Sequence, residues 1–180
     1  MNVLLIVLAI VAAVVVLLLI IALFTSKEYQ VTRDIVIGQP SRKVFDFIKY
    51  LRNQDNFSKW ATMDPDMKKE YRGTDGTPGF VSAWDSEKKN VGKGEQEIIK
   101  ITDGERIDFS IHFIKPIDGL ATAYMTTTGE SENQTRVTWS LKAGMKYPMN
   151  LMLLFMNMEK MIGDDLQIGL NNLKSQLETV

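Results

Sequence analysis

The spacing of apolar residues divides the chain into three parts. Every residue from Val3 to Phe24 is apolar, apolar and polar residues tend to alternate between about residues 29 and 142, and beyond Pro148 apolar residues recur every three or four positions. Alternation is typical of strands with one buried face, and the longer spacing is typical of a helix with one buried face. The pattern therefore predicts an apolar helix, a sheet and a long terminal helix, in that order.

The first part is long enough to cross a lipid bilayer. Its 22 residues would span about 33 Å as a helix at ~1.5 Å per residue, and the hydrocarbon layer of a bilayer is about 30 Å thick. A cleaved signal peptide would need a basic start, a shorter apolar run and a small-x-small cleavage site. Met1-Asn2 is not basic and the run ends in Ala22-Leu23-Phe24-Thr25. We therefore expect a transmembrane anchor at Val3–Phe24 and a short tether, together residues 1–26.

Basic residues are distributed unevenly around this span. Lys27, Arg33, Arg42 and Lys43 follow it, whereas no Lys or Arg precedes it. The cytoplasmic flanks of membrane spans are enriched in Lys and Arg. We therefore expect a single-pass membrane protein whose remaining residues, 27–180, form a domain in the cytoplasm.

Seven alternating segments, separated by turn-forming residues, follow the anchor. Consecutive strands with short connections form antiparallel meanders. Apolar residues such as Ile107 and Phe109 share one parity and polar residues such as Asp108 take the other, so one face of the sheet is expected to be buried. Two small helices, near residues 41–48 and 55–60, interrupt the sheet after its first strand. The predicted strands are Tyr29–Ile37, Met67–Arg72, Phe80–Trp84, Gly94–Thr102, Arg106–Ile114, Leu120–Thr128 and Arg136–Lys142.

The last part predicts one long helix from about Pro148 to Leu177. Its first half is adaptable, because six of the ten methionines lie between Met145 and Met161. Gly163 and Gly169 interrupt the second half, and glycine inside a helix costs roughly 0.5–1 kcal/mol relative to alanine. Glycine at these positions therefore indicates either close backbone approach or empty space beside the helix. The expected inward stripe consists of Leu151, Leu154, Phe155, Met158, Ile162, Leu166, Leu170, Leu173 and Leu177.

Composition excludes several classes of function. A net charge of −1 lacks the basic excess typical of nucleic-acid-binding proteins, and zero cysteines exclude disulfides, thiol nucleophiles and thiolate metal sites. The one histidine, His112, falls on the polar parity of its strand, so we expect it to be solvated. No spacing of His and carboxylates indicates a metal site, and Gly92-Lys93-Gly94 lacks the strand-to-helix context of a nucleotide-binding loop. We expect neither a metal nor a cofactor.

Several stretches of the sequence resemble one protein superfamily. They are residues 40–48, Asn56-Phe57-Ser58-Lys59-Trp60, Trp84 followed by Gly92-Lys93-Gly94, and Thr138-Trp139-Ser140-Leu141 followed by residues 147–152 and Met161-Ile162-Gly163. Over about residues 29–177 they resemble the START-like superfamily, also called SRPBCC, and its bacterial polyketide cyclase/dehydrase-like members in particular. The resemblance implies an α+β helix-grip fold, in which a curved seven-stranded antiparallel sheet wraps around a long C-terminal helix, with two small helices. It also implies a hydrophobic ligand cavity between helix and sheet, but no particular reaction.

The candidate cavity residues are large apolar side chains of the predicted strands and helices. Plain core packing is an equally good interpretation of the aromatic residues among them, although the methionine-rich helix favours a cavity. Glu95 and Glu97 share the parity of Ile99 and Ile101, so we expect them at a polar rim of the cavity; the alternative is a general acid or base. The cavity candidates are Trp60, Trp84, Phe109, Phe113, Met125, Trp139, Phe155, Met158 and Ile162.

Three functions remain open at this point. The first, which we favour, is a membrane-anchored module that binds a hydrophobic small molecule, either a lipid or a polyketide-like compound. The second is an enzyme of cyclase, dehydratase or hydrolase type that uses the same cavity and whose catalytic residues the sequence does not identify. The third is a module that binds a partner protein. The expected partners are thus a hydrophobic small molecule or lipid and the membrane, with a protein as an alternative and nucleic acid excluded.

Overall fold

The structure is a computed structural model that describes residues 2–179. A long apolar helix, α1 (Val3–Phe24), precedes a seven-stranded sheet and its covering helices. The second small helix that the sequence predicts is divided into two at Ser58. After α1, the elements are β1 (Glu28–Ile37), α2 (Ser41–Ile48), α3 (Leu51–Phe57), α4 (Lys59–Thr62), β2 (Lys68–Arg72), β3 (Val81–Asp85), β4 (Lys93–Thr102), β5 (Arg106–Lys115), β6 (Gly119–Ser131), β7 (Gln134–Gly144), a 3₁₀ segment (Met149–Leu154) and α5 (Met158–Glu178).

The seven strands form a single antiparallel sheet in the order β1-β7-β6-β5-β4-β3-β2. Strands β2 to β7 pair with their neighbours in sequence, as their short connections require. β1 pairs with β7, with Glu28 opposite Gly144 and Ile37 opposite Thr135, so the first and last strands lie side by side. The α+β helix-grip fold is therefore confirmed, with the apolar helix in front of it.

One face of the sheet is buried, as the alternation predicts. Ile107 and Phe109 of β5 are 0% and 2% exposed, and α5 covers that face with Leu166, Leu170 and Leu173, each 0% exposed. Burying such a side chain stabilises the fold by roughly 1.5–3 kcal/mol. The second half of α5 therefore lies on a filled core.

Two glycines allow α5 to approach the sheet closely. A Cβ atom at Gly169 would lie 2.8 Å from the indole of Trp139, and one at Gly163 would lie 1.9 Å from the guanidinium of Arg33. The Arg33 guanidinium in turn donates hydrogen bonds to Oε1 of Glu159 (2.6 Å) and to its carbonyl oxygen (2.9 Å). Of the two interpretations of these glycines, close approach is the one that the structure shows.

The C-terminal helix is shorter than the sequence predicts. The prediction of a helix from Pro148 is wrong, because the 3₁₀ segment is followed by a break and α5 begins at Met158. The Asn157 side chain accepts a hydrogen bond from the backbone N–H of Lys160 (2.9 Å), which is how an N-cap residue starts a helix. The helical spacing before the break does not mark a buried stripe, since Leu154 and Phe155 are 56% and 81% exposed.

Helix α1 has the bounds that the sequence predicts, and it is long and apolar enough to cross a membrane. Its side chains are exposed except for Ala22. The buried side chain of Asn150, in the 3₁₀ segment, donates hydrogen bonds to the carbonyl oxygens of Ala22 (2.7 Å) and Thr25 (3.0 Å). The C-terminal end of α1 is thereby fixed to the domain.

Truncation should separate the filled part of α5 from its start. Leu173→Ala should cost roughly 2–5 kcal/mol, because a fully buried leucine loses its transfer free energy and leaves a cavity. Met158→Ala, at the partly exposed first residue of α5, should cost less than about 1.5 kcal/mol. Pulse proteolysis of the full chain in detergent micelles, across a urea series, measures both. Equal, large losses would show that the start of α5 is packed as tightly as its end.

Candidate ligand cavity

A cavity of about 430 Å³ lies between the helix-covered face of the sheet and the helices α3, α4 and α5. Its volume falls in the range of about 300–1,000 Å³ that is typical of small-molecule sites. Strands β1 to β7 all contribute to its wall, and α5 contributes Ile162 from its first two turns. The cavity therefore occupies the place between sheet and helix that the resemblance implies.

The wall is mainly apolar, and four of its aromatic rings hold one another in place in pairs. Trp60 meets Trp139 edge to face, with ring centroids 6.2 Å apart, and Trp84 meets Phe113 in the same way at 6.3 Å. Such pairs contribute about 0.5–1.5 kcal/mol beyond the area that they bury. Gly94 makes room for the Trp84 indole, since a Cβ atom there would lie 2.6 Å from the ring. The apolar part of the wall is thus preorganised.

A set of neutral polar side chains interrupts this apolar wall. Gln54 and Ser58 come from the α3 end, Ser82 from β3 and Gln96 from β4. In the part of the chain that the structure describes, the side chains of Gln54, Ser82 and Gln96 form no hydrogen bond to another protein group. Their polar atoms are not fully buried, since the one fully buried side-chain atom without a partner among the described residues is Oδ1 of Asn150. These three side chains are therefore available to a polar group of a bound molecule.

One ion pair also reaches the cavity wall. Asp55 of α3 accepts hydrogen bonds from the Lys69 ammonium and the Tyr71 hydroxyl, both on β2. Burial, and then the bond to Asp55, raises the pKa of Tyr71 above its usual value, so Tyr71 stays a protonated donor at neutral pH. Because both Asp55 oxygens are engaged, the group fixes α3 to β2 and is not a free base. The shared parity of Lys69 and Tyr71 was the sequence signal for this cluster, which the sequence analysis missed.

Five of the predicted cavity residues line the wall of this cavity. The strands bring Trp84, Phe113 and Trp139 to it, and the helices bring Trp60 and Ile162. These residues are spread over residues 60–162, and the fold places them around one space.

The other four predicted cavity residues lie outside the wall. Phe109 and Met125 are 2% and 1% exposed and belong to the filled core beside the cavity. Phe155 is 81% exposed, because the break before α5 takes it away from the sheet. Met158 is partly exposed at the first residue of α5. Including Phe155 and Met158 was wrong because the helical spacing was extended through a break.

Glu95 and Glu97 do not lie at a cavity rim, and this prediction was wrong. Gln96 lies between them and lines the cavity, so the two glutamates point to the opposite face, where Glu95 accepts a hydrogen bond from Arg72 (2.6 Å). A β-bulge at Ile99 causes the difference. Ile98 pairs with Phe109 and Lys100 pairs with Asp108, so Ile99 has no partner in β5. The bulge reverses the parity of β4, which the sequence pattern alone does not show.

His112 lies on the face opposite to the cavity, as its parity predicts. Its Nε2 atom is 2.9 Å from Oδ1 of Asp118, and the two side chains are 41% and 70% exposed. Within residues 2–179 no group of three or more histidine, aspartate and glutamate side chains is arranged to hold a metal ion. The interior of the described cavity offers apolar contact and neutral hydrogen bonds, besides the Asp55–Lys69 ion pair, and Lys115 adds a positive charge at the mouth.

The cavity opens at one end of the sheet. Its exposed lining residues are Asn90, in the β3–β4 connection, and Lys115, Pro116 and Ile117, where β5 ends and leads into β6. Ile117 is 65% exposed. All other lining residues are buried or half-buried, so these two connections form the mouth.

Solved structures with the same fold support this architecture. TTHA0849 from Thermus thermophilus superposes with a TM-score of 0.61 at 18% identity, covering 84% of this chain and 98% of that one. Norcoclaurine synthase from Thalictrum flavum, solved with dopamine and hydroxybenzaldehyde, gives 0.62 at 9% identity and covers 89% and 92%. MLL2253 from Mesorhizobium loti gives 0.58 at 12% identity and covers 84% and 98%. At such identities the likeness shows the fold alone. A comparison with curated proteins found no match.

The sequence of the domain also matches a family. Residues 28–178 match the family described as polyketide cyclase / dehydrase and lipid transport. The match begins at the first residue of β1 and ends at the last residue of α5, so it contains the whole sheet, the cavity and its covering helices and leaves out α1. Because it covers most of the chain, this protein belongs to the polyketide cyclase/dehydrase and lipid transport family.

Proposed function

We propose that this protein is a membrane-tethered module that binds one hydrophobic small molecule, a lipid or a polyketide-like compound. The observation that carries the proposal is the preorganised, mainly apolar cavity of about 430 Å³. The family description, which includes lipid transport, supports it. In this proposal residues 1–26 are the transmembrane anchor with its tether and residues 27–180 are the binding domain; Met1 and Val180 lie outside the described residues.

The polar side chains of the wall define the ligand further. Gln54, Ser82 and Gln96 are neutral, and the charges of Asp55 and Lys69 compensate each other. Burying an unpaired charge beside such groups would be costly, whereas a hydroxyl, carbonyl or amide would find partners. The part of the ligand that lies inside the cavity is therefore amphipathic, with an apolar body and a neutral polar group, whereas Lys115 places a cation at the mouth.

Filling the cavity should abolish ligand binding. Ala61→Trp places an indole in the space that the ligand would occupy, since Ala61 of α4 lines the cavity, and we expect ligand occupancy to fall at least about tenfold. Native mass spectrometry of the full chain, released from detergent micelles, measures the occupancy and the mass of the compound that co-purifies.

The matched control is Thr62→Trp, one residue further along α4 at an exposed position, which should leave occupancy unchanged. Co-purified ligand that is lost equally in both variants would point to a general effect on folding. A wild-type protein that carries no small molecule, under conditions that retain lipids, would contradict the binding function.

The polar part of the ligand can be tested separately. Gln96→Leu keeps the approximate volume but removes the amide, so a ligand hydrogen bond would be lost at a cost of roughly 1–3 kcal/mol, or about 5–150-fold in affinity. Glu97→Gln is the control, because it changes the next residue of β4 on the opposite face. Native mass spectrometry with added co-purified compound gives the affinities. Equal or tighter binding by Gln96→Leu would show that the ligand is purely apolar where it passes β4.

The domain is proposed to lie in the cytoplasm. Lys27, Arg33, Arg42 and Lys43 follow the span and no basic side chain precedes it, which favours a cytoplasmic position for the residues after α1. A reporter that is active only in the cytoplasm should therefore be active when fused after Val180. Activity of an export-dependent reporter at the same position would reverse the assignment.

A further inference from the structure

The mouth of the cavity and the end of α1 lie at the same end of the sheet. Strand pairing places Glu28, the first residue of β1, opposite Gly144, and Ala143 opposite Ala121 near the start of β6. β5 ends at this same end with Lys115, beside the mouth. Three strand spacings separate β1 from β5, or roughly 14 Å at about 4.8 Å each. The mouth is therefore a short distance from the point at which the chain leaves α1.

The end of α1 is hydrogen-bonded to the domain at several points. Besides the two hydrogen bonds from Asn150, the backbone N–H of Met145 donates to the carbonyl oxygen of Lys27 (2.9 Å), and the Tyr147 hydroxyl donates to that of Leu19 (3.4 Å). Leu19 lies five residues before the end of α1, or about 7.5 Å along its axis. The segment after β7 therefore runs beside the last turns of α1.

Large exposed apolar side chains are concentrated at this end of the domain. Of the twelve such residues within residues 26–179, nine are at the end of β5, in the β5–β6 connection, at the start of β6, or between β7 and the first turn of α5. The connections at the opposite end of the sheet are polar, at residues 103–105 and 132–133. We call the nine residues the apolar rim: Ile114, Ile117, Leu120, Tyr147, Met149, Met152, Leu154, Phe155 and Met161.

The depth of α1 sets the level of the apolar rim. A helix of 22 residues is about 33 Å long and a hydrocarbon layer is about 30 Å thick, so Phe24 would lie at the membrane surface. The 3₁₀ segment contacts α1 at Ala22, within its last turn, and so it lies at that surface too. Apolar side chains at this level are stabilised by burial among lipid headgroups and upper acyl chains, as in interfacial helices.

We propose that the apolar rim is seated in the interface of the same bilayer that α1 spans, so that the cavity mouth faces the lipid. The ligand then exchanges between bilayer and cavity without crossing bulk water. Exposed Lys27, Lys115 and Lys146 surround this end and would contact anionic headgroups. This inference rests on the proposed function, because it requires α1 to be a membrane anchor.

Site-specific fluorescence in vesicles tests the seating directly. The chain has no cysteine, so single labels can be introduced into the full protein as Phe155→Cys and Ile117→Cys in the rim, Glu132→Cys at the opposite end, and Val14→Cys in the middle of α1. The protein is reconstituted in vesicles of phosphatidylcholine with a minority of phosphatidylglycerol, with or without nitroxide-labelled lipid. We expect lipid quenching at Phe155→Cys and Ile117→Cys to exceed that at Glu132→Cys at least about threefold, and iodide quenching to show the reverse order.

The label in α1 distinguishes failure of the inference from failure of the anchor. Quenching at Val14→Cys by deep nitroxides, with rim labels that behave like Glu132→Cys, would overturn the seating and leave the anchor intact. An unquenched Val14→Cys would overturn both. A Phe155→Cys label shielded from lipid and iodide alike would show that a protein surface, from a partner or a second copy, covers the rim, and would also overturn the inference.

A second variant tests whether the rim itself seats the mouth. Leu154→Asn combined with Phe155→Asn should reduce lipid quenching at Ile117→Cys by about half or more and leave quenching at Val14→Cys unchanged. Ile168→Asn is the control, because Ile168 is an exposed apolar residue of α5 outside the rim. Unchanged quenching at Ile117→Cys in the double variant would show that the tether alone sets the position of the mouth, and the role of the rim would be wrong.

Discussion

The packing of α5 against the sheet decides where this protein is filled and where it is hollow. Leu166, Leu170 and Leu173 fill the space beside the second half of the helix. Among the described residues of α5, Ile162 is the one that reaches the cavity wall, and the backbone nearby is held by contact between Gly163 and Arg33. The C-terminal half of α5 therefore packs into the core, and its N-terminal part covers the cavity. A larger residue at Gly169 would press on the Trp139 indole, and one at Gly163 would displace the Arg33 guanidinium.

The cavity combines a rigid apolar wall with a small number of neutral polar groups. The rings restrain one another, so little conformational entropy would be lost on binding, which is how preorganisation raises affinity. The Gln54 and Gln96 amides favour one orientation of a bound molecule, because a ligand whose polar group lay elsewhere would leave them without a hydrogen-bond partner. The pairing of Asp55 with Lys69 and Tyr71 keeps charge from dominating this choice.

The sequence predicts the seven strands and the buried face well because alternation is a local property of each strand. Parity fails where a bulge adds a residue, and for that reason Glu95 and Glu97 were assigned to the wrong face. Helical spacing likewise continued to Phe155 although no sheet lies beneath it, and the Asn157 cap was the available signal for the break. The sequence does not predict the polar group at α3 and β2, because these two elements are separated in sequence and become neighbours only in the fold. A helix as short as α3 also has too few residues for its spacing to show which side is buried.

The short tether between α1 and β1 limits the sources from which the domain can take up its ligand. Three residues, from Thr25 to Lys27, connect α1 with β1, and three residues extend at most about 10 Å. With α1 in a bilayer, the domain could not travel to a second membrane, as a diffusing carrier does. Its exchange partners would be molecules that move laterally in the leaflet beside it. Occupancy would then follow the composition of that one leaflet.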